Sequence, residues 1–318
     1  MQTPRPWPAD DPRRSQVTLR REYLASGYTD RSISTMVRDG TLARVRRGAF
    51  VAGSVWRELD ENGRHSLRAR AVQKQACTDV VLSHVTGLLE FDSPTWGLDL
   101  SEIHVTRRDG RVGRREAGVH QHAGLIETGD VVLRNGVHVM SPDRLALEVA
   151  TTTDVEHALP VVCDLLHRKL VTQEALVERH RTMQFWPNSL GFEVVVRLAD
   201  PRIESVGEAR TWHLCFSNSL PMPEPQFEIV DRSGRVVARV DFAWPELGLF
   251  VEFDGRIKYE KLLRDGERPS TVVLREKERE KLICRLTGWR CLRLTWADLE
   301  HPERTAALIR DEFSRPAA

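Results

Sequence analysis

The 318-residue chain has few cysteines and none in pairs. Cys77, Cys163, Cys215, Cys284 and Cys291 are scattered without a C-x-x-C motif, which argues against both a zinc knuckle and a disulfide framework. No apolar run reaches the roughly 18–20 residues that cross a bilayer, and the N-terminus lacks a signal-peptide core. A reducing cytoplasm is therefore the expected compartment. Charge of one sign is also missing: 47 Lys and Arg stand against 46 Asp and Glu, so bulk charge does not announce nucleic acid. No internal repeat or low-complexity tract stands out. What remains is 41% hydrophobic and 29% charged, the composition of an ordinary globular chain with room for two or three domains. The expected fold class is multidomain α+β.

The charge is unevenly spread. Residues 1–53 hold ten arginines against five acids, which favours an anionic partner for that end. Residues 1–14 carry Pro4, Pro6, Pro8 and Pro12 and read as a disordered arm. From Ser15 the pattern turns helical, with Val17, Leu19, Tyr23 and Leu24 as an apolar stripe ended by Gly27. Thr29 or Asp30 caps a second helix from Arg31 to Asp39 that turns Ile33, Met36 and Val37 inward. Leu42, Val45, Phe50 and Val51 then predict a hairpin turned at Arg47-Gly48. Helix, turn, helix and basic hairpin outline a winged helix-turn-helix over residues 15–53. On its second helix Arg31, Ser34, Thr35 and Arg38 are placed to meet a major groove, and Arg44, Arg46 and Arg47 on the hairpin suit phosphate.

Residues 54–190 read as an α+β middle domain. A helix expected from Gly63 to Thr78 leads into Val80-Val-Leu-Ser-His84, with strands at Glu102–Thr106, Val119–His122, Val131–Leu133 and Val137–Met140 and a helix opened by Pro142. Arg107, Arg108, Arg111, Arg114 and Arg115 form a basic hairpin tip that would add phosphate contacts. Ser83 and His84 are adjacent, so they cannot face each other as nucleophile and base. His120 and His122 share a strand face, but no third ligand is evident, and packing is the preferred reading. Trp186-Pro187-Asn188 marks the expected boundary.

From residue 195 to 318 the order reads α-β-β-β-α-β-α. Two apolar runs, Val236–Phe242 and Leu247–Phe253, end in Asp241, Glu252 and Asp254. Burying such carboxylates costs several kcal/mol unless they are paired or hold a cation. Hard oxygen donors converging at a sheet end suit Mg2+ or Mn2+, with a nearby lysine, Lys258 or Lys277, to steady a phosphate. The bland alternative is ion pairing with arginines such as Arg239 or Arg256. The charged helix carrying Glu276, Lys277, Arg279 and Glu280 reads mainly as a solvated face.

Glu204-Ser-Val-Gly-Glu208-Ala-Arg210, Leu220-Pro-Met-Pro-Glu-Pro-Gln226, Val240-Asp-Phe-Ala-Trp-Pro245, Val251-Glu-Phe-Asp-Gly255, Lys258-Tyr259, Glu276-Lys-Glu-Arg279 and Gly288-Trp289 together resemble the PD-(D/E)XK nuclease superfamily, near its very-short-patch-repair branch. The resemblance implies a restriction-endonuclease-like domain with Asp241 and Glu252 as metal ligands and Glu208, or its rival Glu204, as an additional acid. Asp254 stands where the superfamily's lysine is usual; Lys258 or Lys277 would replace that lysine, or activity is lost. Gly27-Tyr28, Val37-Arg-Asp-Gly-Thr-Leu42 and Arg44-Val-Arg-Arg-Gly-Ala-Phe-Val51 resemble the winged helix of AbiEi-type antitoxins, which repress their own toxin operons. The implied functions are a metal-dependent DNA endonuclease or a non-catalytic DNA-binding regulator. A weaker third is an interaction module paired with a toxin or defence partner.

Overall fold

The computed structural model describes residues 5–255 and 269–315; Lys258 and Arg256 lie outside them. By its packing the chain divides into two compact units, Met1–Arg197 and Leu198–Ala318. It is a multidomain α+β protein. Among the described residues, no helix is long and apolar enough to cross a membrane.

The first unit opens with β1 (Thr18–Leu19), α1 (Arg20–Ala25), α2 (Asp30–Arg38), β2 (Leu42–Arg46) and β3 (Ala49–Ala52), whose strands form an antiparallel sheet in the order β1-β3-β2. Thr29 caps α2 by accepting the Ser32 N–H at 3.1 Å. Ile33 is buried in a small core with Leu42 and Phe50, against which Met36 and Val37 also pack. The expected helix through Val17 and Leu19 gives way to a strand, because Thr18 pairs with Phe50 and Leu19 with Ala49. Two apolar residues at spacing two suit either element, and the tertiary pairing decides.

The proline-rich arm is also different from its sequence reading. Trp7 is buried; its backbone N–H donates to Asn135 Oδ1 and its indole N–H to Asp92 Oδ2, both at 2.8 Å, and the Arg13 guanidinium lies over its ring. A tryptophan removes about 150–250 Å² from water, enough to anchor a short segment that composition alone marks as unfolded.

The unit continues with α3 (Gly53–Glu58), α4 (Glu61–Gln75), β4 (Val80–Leu82), α5 (His84–Leu88), β5 (Ile103–Arg107), β6 (Arg115–Glu116), β7 (Val119–His122), β8 (Val131–Arg134) and β9 (Val137–Met140), then α6 (Pro142–Ala150), α7 (Val155–His167), α8 (Gln173–Thr182) and α9 (Ser189–Leu198). Six strands make one sheet in the order β6-β7-β5-β4-β9-β8. Leu59, Leu67 and Ala71 join one core with Val17, Leu19 and Val45, so the segment of β1 to β3 and the middle region are continuous through α4. Helix α9 begins just after the expected boundary at Trp186–Asn188, and the two units divide near its end, between Arg197 and Leu198.

The second unit holds α10 (Val206–Ser217), β10 (Glu224–Val230), β11 (Val236–Trp244), β12 (Leu249–Phe253), α11 (Pro269–Thr287), β13 (Arg290–Leu294), α12 (Trp296–Leu299) and α13 (Pro302–Ser314). Its sheet order is β10-β11-β12-β13, antiparallel except for the β12–β13 pair. A parallel pair needs a crossover, which α11 supplies by setting Ile283 on Val240, Ala243 and Phe250.

Candidate carboxylate site and histidine cluster

Asp241 lies inside β11, not at its end as expected; where the β11–β12 pairing stops, the register Phe242↔Val251 continued by one residue sets it beside Glu252 on one sheet face. Asp241 Oδ2 accepts the Phe253 N–H at 2.8 Å, which ties the two strands together. Glu252 is buried and carries two arginines: Arg279 of α11 on one oxygen and Arg293 of β13 at 3.2 Å on the other. Arg293 is also bonded to Glu280 at 2.8 Å. Burial pulls its guanidinium pKa down, but hydrogen bonding to Glu280 and the Glu252 charge prevail and raise it.

Glu208, almost fully buried, sits in the first turn of α10. Its carboxylate accepts from the Ser205 hydroxyl at 2.7 Å, the Glu204 N–H at 3.0 Å and the Gln226 side-chain amide at 2.8 Å. These bonds account for its burial as a helix cap. Gly207 lets this turn approach β12, because a Cβ there would lie 2.0 Å from the Phe253 ring. Glu204 is paired with Arg239 at 3.0 Å. Asp254 follows β12, its N–H donating to Leu294 O at 2.7 Å. Lys277 is exposed, and Arg279 of α11 reaches Glu252. Arg279 and Glu280 thus leave the solvated face on which the sequence placed them. Among the described residues, Glu208, Asp241, Glu252 and Asp254 supply no trio with ligand atoms within 4.8 Å of one another. Asp241 and Glu252 nevertheless fit a hard dication as a carboxylate pair, by donor type and by adjacency.

In the first unit, Arg31, Ser34, Thr35 and Arg38 recur at helical spacing and are all exposed on α2, opposite Ile33, Met36 and Val37. Arg44 and Arg47 are exposed on the β2–β3 hairpin, whereas Arg46 is half-buried and its pKa is lowered by that burial. Arg107 is tied to Asp109 at 2.5 Å and Arg108 to Asp79 at 2.9 Å, so local acids offset much of that basic tip; Arg111 is exposed.

The sequence reading of His120 and His122 as a pair without further ligands is overturned. In the parallel β5–β7 pairing His104 faces His120 and Thr106 faces His122, which places three imidazoles on one sheet face. His84, just beyond β4, completes the group: its ring stacks on His122 at 3.7 Å between centroids. The only trace in sequence was slight: His104 alternates with the buried Ile103 and Val105 of its strand, and His84 follows the Val80–Leu82 run.

His84 adopts φ +52°, a left-handed backbone uncommon for histidine. Glu148 holds it there, accepting the His84 N–H at 2.9 Å. Glu148 is bound in turn to Arg144, and Arg144 to Asp130, with all three side chains about 1% exposed or less. Desolvation pushes the Glu148 carboxyl pKa up despite Arg144.

Beside this group, buried His65 presents Nε2 to the Thr86 hydroxyl at 2.8 Å and Nδ1 to Leu100 O at 3.2 Å. Burial holds its pKa down at about 4, opposed by the Leu100 bond and assisted by the Arg68 and His104 charges. Unfolding returns the group to about 6.5. The unfolded chain therefore binds the extra proton between these values, and stability falls as pH drops from about 6.5 to about 4. Chemical unfolding across that window should show His65→Gln with a shallower fall than wild type. Parallel profiles would remove His65 from the account.

No family model matches the chain. It is similar to two Mycobacterium tuberculosis proteins described as uncharacterized, MT2308 of strain CDC 1551 / Oshkosh and Rv2248 of strain ATCC 25618 / H37Rv. Each is 26% identical over 294 residues, covering 90% of this chain and 98% of the relative. A match of that length includes parts of both units.

Proposed function

We propose that the chain is a DNA-binding protein whose second unit is a metal-dependent endonuclease of the PD-(D/E)XK type. The observation that carries the nuclease half is the adjacency of Asp241 and Glu252 where the β11–β12 pairing stops, inside an α-β-β-β-α-β-α order. Asp241 and Glu252 would hold Mg2+ or Mn2+, with Glu208 on the neighbouring helix start. A bound dication supplies polarisation of the scissile phosphate and a water of lowered pKa. Arg279 and Arg293 pair with Glu252 and offer guanidinium groups that match phosphate oxygens. The DNA-binding half rests on the exposed face Arg31–Ser34–Thr35–Arg38, with Arg44 and Arg47 beside it in sequence on the hairpin.

One observation favours a second reading, a DNA-binding regulator of antitoxin type that does not cut. Glu252 already has two arginine partners, which satisfy a buried carboxylate without a metal.

Plasmid, linear duplex and single-stranded DNA incubated with Mg2+ or Mn2+ separate the two. The nuclease reading expects cutting by wild type that disappears in Asp241→Asn/Glu252→Gln. Intact salt-dependent binding without cutting establishes the regulator. In either case Arg44→Ala/Arg47→Ala should lower the slope of log affinity against log salt by up to about 2, near 0.9 per phosphate contact. Arg31→Ala/Arg38→Ala should weaken binding to the preferred sequence more than to random duplex. Unchanged affinity in both double variants would dismiss the winged segment as the DNA interface.

A further inference from the structure

We infer that His84, His104 and His122 form a site for a borderline divalent transition metal, Zn2+ above all, at the wall of a cleft in the first unit. One ligand atom from each lies within 4.8 Å of the others. His104 Nδ1 and His122 Nε2 are 3.0 Å apart. Tetrahedral zinc with Zn–N bonds of 2.0–2.1 Å sets its nitrogens roughly 3.3 Å apart, so these two stand close to a ligand-pair separation.

The third imidazole is held from behind. His84 Nδ1 lies 3.1 Å from Ser83 Oγ and 3.5 Å from the buried Glu148 carboxylate. A carboxylate at one ring nitrogen directs the lone pair to the other, the arrangement that orients metal-binding histidines. The left-handed backbone of His84 is fixed by the same Glu148. A second trio, Glu102, His104 and His120, is less suited: Arg115 lies 3.3 Å from both the Glu102 carboxylate and His120 Nδ1 and places a fixed cation among the donors.

Desolvation, followed by the neighbouring histidines, holds the His104 pKa at about 4 and that of His122 at about 3. Both rings are neutral at pH 7 and retain their lone pairs. Imidazole nitrogens favour zinc and similar metals over magnesium, so the site is chemically distinct from the carboxylates of the second unit. Three nitrogens leave a fourth position for water or an anion. His84 and His104 line a cavity of about 1100 Å³, which Arg115 also lines as a cation. The inference does not depend on nuclease activity.

The test is metal binding by tag-free full-length protein, stripped with a chelator and titrated with Zn2+ against a chromogenic competitor. Co2+ titration reports geometry through its visible absorption. One equivalent per chain with tetrahedral Co2+ bands is expected. His104→Gln and His122→Gln should each weaken binding by more than the about 10- to 100-fold that loss of an outer partner costs. His138→Gln, exposed on β9, and Asp241→Asn/Glu252→Gln should leave affinity unchanged. Circular dichroism and melting curves establish that the variants are folded, and either ligand variant alone suffices. No stoichiometric binding by folded wild type, or equal affinity in a folded ligand variant, overturns the site.

Discussion

Replacing Arg144 with methionine should cost the first unit about 3–5 kcal/mol, the penalty for breaking a buried ion pair from one side. Arg144 is wholly buried, donating to Glu148 Oε1 at 3.0 Å and to Asp130 Oδ2 at 3.1 Å. Its guanidinium also lies over the Trp186 ring, so methionine keeps part of the apolar contact while removing the charge. Asp130 retains Arg179 at 2.7 Å, but Glu148 loses its cation and keeps the His84 N–H. The penalty therefore falls mainly on Glu148, whose carboxyl is already pushed up by burial. Arg144→Met/Glu148→Gln should accordingly be less destabilised than the sum of the single variants, by at least about 1 kcal/mol of coupling. Urea unfolding of the four proteins measures this. A single variant within about 1 kcal/mol of wild type would show that the pair does not hold α6 in place.

Strand pairing explains why the histidine group was barely legible in the sequence. His120 and His122 show their common face through spacing alone, and β7 has the expected bounds. His104 and His84 join them only because β5 runs parallel to β7 and antiparallel to β4, pairings that no local pattern specifies. Local chemistry was legible where it decides the element: Pro142 opens α6, Thr29 caps α2, and the spacing of Ile33, Met36 and Val37 fixes which face of α2 is free. Trp7 failed as a local signal because its partners, Asp92 and Asn135, are distant in sequence. In the second unit the acids were visible, but the arginines that occupy Glu252 come from α11 and β13. Sequence left Lys258 and Lys277 open as the cation near these acids, and gave no sign that Arg279 of α11 would lie on Glu252.

Gly207→Ala should destabilise the second unit and disturb the Glu208 carboxylate together. A Cβ at position 207 would lie 2.0, 2.2 and 2.5 Å from three atoms of the Phe253 ring. Phe253 has little room to yield, being buried and packed edge-on against Trp296 at 5.2 Å between centroids. Overpacking of this kind costs about 1–3 kcal/mol or more, and the contact here belongs at the upper end. Alanine regains about 0.5–1 kcal/mol of helix propensity, leaving a net loss near 2 kcal/mol. Relief of the clash must move either Phe253 or the first turn of α10. Moving the turn shifts Glu208 away from Gln226; moving Phe253 pulls on the N–H that Asp241 accepts. Thermal unfolding reads the first effect, and Mg2+-dependent cleavage reads the second. If Glu208 takes part in metal binding, cleavage falls in Gly207→Ala even where the protein remains fully folded. Loss of stability with cleavage intact would confine Glu208 to its capping role and leave Asp241 and Glu252 as the site's acids.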